Sequence, residues 1–123
     1  MKYLILLKSN PEWSAAWAGF SAEQQREAME LYAGFEERLR EAGEFVDAEQ
    51  LAGPAAAKSV RLTDDGPIAT DGPYVELKEY LGGYYIVDVE SEARAVEIAG
   101  WFPEAQAGLV ELLPAMAASA GDY

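Results

Sequence analysis

Cysteine and histidine are both absent from the 123 residues. Without cysteine there is no disulfide, no thiolate metal site and no cysteine nucleophile. Without histidine the chain lacks the commonest general base, the commonest metal ligand and every Ser-His or Cys-His pair. Basic residues are scarce. Nine lysines and arginines stand against 22 acidic residues, a net charge of −13. Such a surface repels phosphate backbones and anionic lipid, which argues against direct nucleic-acid binding and membrane association and leaves a basic protein partner open. No apolar run approaches the ~18 residues of a membrane span. The opening "MKYLILLKSN" is too short for a signal-peptide core with its cleavage site, so the expected location is the cytoplasm.

What is there suits one domain. Half the residues are hydrophobic, enough for a single core. "KYLILLK", residues 2–8, reads as a central strand. "SNPEWSAAWAGF" reads as a loop carrying two exposed tryptophans, Trp13 and Trp17. Ser21 opens a helix with Gln24 in capping-box spacing. Ala28, Tyr32, Phe35, Leu39 and Ala42 share one face of it, and Gly43 ends it. "EFVDAEQLA" is a second strand, and "SVRLTDDGPIAT" a hairpin about an Asp-Asp-Gly-Pro turn. In "GGYYIVDVE", Tyr84, Ile86 and Asp88 face one side and Tyr85, Val87 and Val89 the other. Ser91 caps a helix over 91–101 that Pro103 ends, and "GLVELLP" is the last strand.

The order β-α-β, hairpin, β-α-β predicts an α+β fold, a ferredoxin-like split βαβ with an antiparallel sheet and two helices on one face. Residues 1–114 form the domain and 115–123 a loose tail. The sheet's other face is apolar, so a second copy is expected to cover it, giving a homodimer of the α+β barrel type.

The densest chemistry lies in "TDGPYVELKEYLGGYY", Thr70 to Tyr85. Asp71-Gly72-Pro73 has the composition of a turn, with Asp71 alternatively presenting a carboxylate at a cleft mouth and Tyr74 an aromatic. Gly82-Gly83 suits a strand entry that admits a close backbone, with positive φ at one of the pair as the other expectation. The pair is no phosphate loop, because no Lys-Ser follows it. Lys78 with Glu79 reads as a solvated pair or a cleft cation. Asp64, Asp65, Asp71, Glu76 and Glu79 match no calcium loop, so no metal or other cofactor is expected.

"MKYLILL", "LREAGEFVDAEQL", the segment just quoted and "GLVELLP" together resemble the YciI-related proteins of the DGPF type, with Tyr74 in place of the motif's Phe. The resemblance implies a ferredoxin-like fold, a dimer and a cleft. Its relatives are associated with a His-Asp pair, and a few with reactions of chlorinated hydroxyquinones. The histidine position falls on Tyr32 and the aspartate position on Glu41. Tyrosine is a poor base near neutral pH. The first functional expectation is therefore a small-molecule cleft lined by Tyr32, Glu41, Asp71, Gly72, Pro73, Tyr74, Lys78, Gly82 and Gly83. The alternative, also implied by the resemblance, is a non-catalytic regulatory domain that meets an extracytoplasmic-function sigma factor.

Overall fold

The computed structural model describes residues 1–72 and 78–116. Four antiparallel strands form the main sheet: β1 (Lys2–Ser9), β2 (Phe45–Gln50), β5 (Tyr80–Asp88) and β6 (Val110–Pro114), in the order β2-β5-β1-β6. The two most apolar segments, β1 and β5, take the centre, where both edges of each are hydrogen-bonded. The hairpin β3 (Lys58–Thr63) and β4 (Gly66–Asp71) stands apart as a two-stranded ribbon. This is the split βαβ order, with the ribbon inserted between its two halves.

Strand alternation decides what is buried. Tyr3, Ile5 and Leu7 of β1, with Tyr85 and Val87 of β5 and Val89 just beyond it, point toward the helices and are buried. They pack on Phe35 and Leu39 of α2 (Ala22–Glu41) and on Ala95, Ile98 and Ala99 of α3 (Glu92–Ala99). Phe102, almost fully buried, closes this core with ring centroids 4.8 Å from Tyr85 and 5.1 Å from Phe35. On the opposite face Leu4, Leu6, Tyr84 and Ile86 are half-buried, and Leu113 of β6 is exposed.

The helix signals sit where the sequence places them. Ser21 Oγ accepts from Gln24 N, and Gln24 Oε1 accepts from Ser21 N, so both halves of the capping box form. Gly43 ends α2 at φ 72°. Ser91 caps α3 through Arg94 N.

One expectation fails. Residues 10–20 do not form a loop: Pro11–Ala18 is a third helix, α1. Its start was encoded. Asn10 Oδ1 accepts from Trp13 N at 2.8 Å, Pro11 occupies the first turn, where its missing N–H costs nothing, and Glu12 meets the positive helix end. None of its residues is buried, so no apolar periodicity betrayed it. Of the residues expected to form a tail, 117–123 lie outside those described, as do Pro73 and Tyr74.

Candidate functional site

Alternation along β5 puts residue 83 on the helix-facing side, next to Tyr85 and opposite Leu7 of β1 and Gln50 of β2. That residue is a glycine. With no side chain there, the sheet floor drops beneath the middle of α2. The result is a cleft of about 900 Å³, within the size range of small-molecule sites. Ala48 and Tyr85 complete the floor. One wall is α2, through Met29, Tyr32 and Ala33, and the other is α1, through Trp13 and Trp17, with Phe20 after it. Pro103 and Glu104 close the end nearest the core.

Gly82 and Gly83 serve by close approach rather than by positive φ, which neither adopts. A Cβ on Gly83 would lie 3.0 Å from the Glu49 carbonyl oxygen, and one on Gly82 3.4 Å from that of Leu7.

Tyr32 sits one turn before Phe35 on the core face of α2. Its ring lies edge-on to Phe35 and stacks on Phe102, at centroid distances of 6.0 and 6.2 Å. Its hydroxyl donates to Glu104 Oε1 at 2.5 Å. Glu104 comes from the 3₁₀ turn Pro103–Ala107 and is 7% exposed. Burial, then the hydrogen bond to Glu104, hold the Tyr32 phenol protonated far above its ordinary range. Burial also pushes Tyr85 up to about 12. At neutral pH both phenols are neutral hydrogen-bonding groups. Neither serves as a base.

The remaining residues singled out in the sequence lie elsewhere. Glu41 is the exposed last residue of α2 and does not line the cleft; the carboxylate at Tyr32 belongs to Glu104 instead. Asp71 ends β4, where its exposed carboxylate pairs with Lys58 Nζ of the facing strand. Gly72, at φ 84°, donates its N–H to Ala57 O at 2.7 Å and accepts from Ser59 Oγ at 2.8 Å. These bonds make Asp71-Gly72 the tie between the ribbon's end and the loop before β3. Lys78 is exposed. None of these three lines the cleft. Of the expected residues, the fold gathers Tyr32, Gly82 and Gly83 there. Among the described residues, no three acidic side chains gather as metal ligands would.

Glu104, Trp13, Trp17 and Tyr85 were not among the expected site residues. Glu104 follows the proline expected to end the second helix and carried no reading of its own, and the tryptophans read as loop residues. The one available signal was indirect: a tyrosine on an apolar helix face needs a buried partner for its hydroxyl.

The YCII-related domain family matches residues 1–117. An uncharacterized protein of Rhizobium meliloti (strain 1021) is 29% identical over 99 residues, covering 80% of this chain and 77% of that relative. On the extent of the family match, the chain belongs to the YCII-related domain family.

Proposed function

We propose that the protein is a small homodimeric binding domain whose cleft holds a small organic molecule. The cleft itself carries this reading: about 900 Å³ between two helices and a sheet floor lowered at Gly83, walled by aromatic rings and holding a neutral phenol on a buried carboxylate. The aromatics supply contact area, and Tyr32 with Glu104 supplies the polar group that fixes orientation. The dimer is supported by the apolar strip of Leu4, Leu6, Ile86 and Leu113, which no helix among the described residues covers. A second copy laid sheet to sheet leaves the cleft, on the helix side, open to ligand.

A thermal-shift screen of a small-molecule library tests the reading, since a ligand that binds the native state raises its melting temperature. Hits that stabilise the wild type and lose their effect in a Trp13→Ala, Trp17→Ala double variant support it. Hits whose shifts survive the removal of both indoles place the ligand elsewhere and refute it.

A further inference from the structure

Glu104 is a carboxylate only 7% exposed, and among the described residues no cation pairs with it. Buried charges are ordinarily paired, because desolvation is otherwise uncompensated. Here Oε1 accepts from the neutral Tyr32 hydroxyl, and Oε2 has no donor among the described residues. Among the described residues no fully buried side-chain oxygen is left without a partner, so Oε2 is not sealed from solvent, and Glu104 lines the cleft. Four of the protein's cations, Lys8, Arg38, Arg40 and Arg94, are engaged elsewhere. Lys8, the one basic residue among the described lining residues, gives its ammonium to Glu79 at 2.9 Å and Glu111 at 2.8 Å. Arg40 lies against Glu36 and the Phe45 ring, Arg38 against Trp101, and Arg94 against Glu44.

The rest of the lining points the same way. Trp13, Trp17, Phe20, Tyr32 and Tyr85 border the same space. Aromatic faces carry negative potential and attract ammonium groups, tryptophan most strongly. An anionic ligand would meet a lining with three acidic residues, Glu36, Glu49 and Glu104, and with no free cation among the described lining residues.

We infer that the cleft selects an organic cation, an amine or quaternary ammonium on an aromatic or aliphatic body. Its positive head neutralises Glu104, and its apolar part lies between the α1 tryptophans and Tyr85. The inference rests on the cleft being a ligand site and adds the charge of the ligand.

Three probes with one body separate the possibilities: phenethylamine, phenethyl alcohol and phenylacetate, a cation, a neutral molecule and an anion at pH 7. Their dissociation constants are measured by calorimetry on the full chain. The expected order is amine, alcohol, acid, with the amine at least tenfold tighter than the alcohol. Glu104→Gln is expected to weaken the amine tenfold or more and leave the alcohol within twofold. Trp17→Ala, at an exposed site that does not threaten folding, is expected to weaken the amine more than the alcohol, and it serves if Glu104→Gln does not fold. Equal affinity for amine and alcohol overturns the cation inference and leaves the binding site standing. Failure of all three probes to bind at 10 mM overturns the cation inference and counts against the ligand site as well.

Discussion

Replacing Tyr32 by phenylalanine removes one oxygen and leaves the ring packing against Phe35 and Phe102 in place. What changes is Glu104, which loses its 2.5 Å donor while remaining 7% exposed. A hydrogen bond to a charged group contributes about 1.5–3 kcal/mol, and a buried acceptor left unpaired costs a similar amount. Water entering from the cleft can partly replace the phenol, so the expected loss is roughly 1–2 kcal/mol. For a chain of this length that lowers Tm by roughly 4–8 °C. Glu104→Gln keeps an oxygen acceptor for Tyr32 and removes the desolvated charge, so it costs less. In the Glu104→Gln background, Tyr32→Phe deletes only a neutral hydrogen bond. Urea denaturation of the four proteins forms a double-mutant cycle with an expected coupling of at least about 0.5 kcal/mol. A Tyr32→Phe cost below about 0.5 kcal/mol and equal in both backgrounds would refute the account of the pair.

Alkaline pH reports on the same phenols. An unfolded tyrosine loses its proton near 10, whereas Tyr85 holds its own to about 12 and Tyr32 beyond the ordinary range. Unfolding therefore releases protons above pH 10, and this stabilisation, fully present below 10, is lost as pH rises toward 12. The fall in Tm over that window is expected to be shallower in Tyr32→Phe, and an identical slope would contradict the assignment. Gly83→Ala forces a Cβ to 3.0 Å from the Glu49 carbonyl and should cost about 1–3 kcal/mol. Gly34→Ala, in α2 with no atom within 4 Å, should stabilise by about 0.5–1 kcal/mol; urea midpoints separate the two. Light scattering at micromolar concentration should give twice 13.4 kDa, and Ile86→Lys on the uncovered sheet face should shift the protein toward monomer. A wild-type monomer at that concentration would contradict the dimer.

The sheet and two helices were legible because local signals agreed: the Ser21 and Ser91 caps, Gly43, the Asp64-Asp65 turn and the alternation in β5. Helix α1 escaped because it buries nothing, so its Asn10-Pro11-Glu12 start stood without apolar periodicity behind it. The cleft was half legible. Tyr32 was marked by its place on a core face and Gly83 by its place in a strand. The partner of Tyr32 lies 72 residues away, and no local pattern joins Tyr32 to Glu104. Asp71 has the composition of a site residue, yet it is spent on a cross-strand pair with Lys58 at the ribbon's end. Turn chemistry and site chemistry use the same residues, and only the topology tells them apart.

The three tryptophans allow the ligand site to be tested directly. Trp13 and Trp17 wall the cleft, while Trp101 packs away from it against Phe35 and Arg38. In nitrogen-15 labelled protein each indole N–H gives its own cross-peak. Titration with ligands found by screening, beginning with phenethylamine, should move the Trp13 and Trp17 signals in step with saturation and leave Trp101 in place. Saturable binding that leaves both α1 indoles unmoved would contradict the cleft as the site.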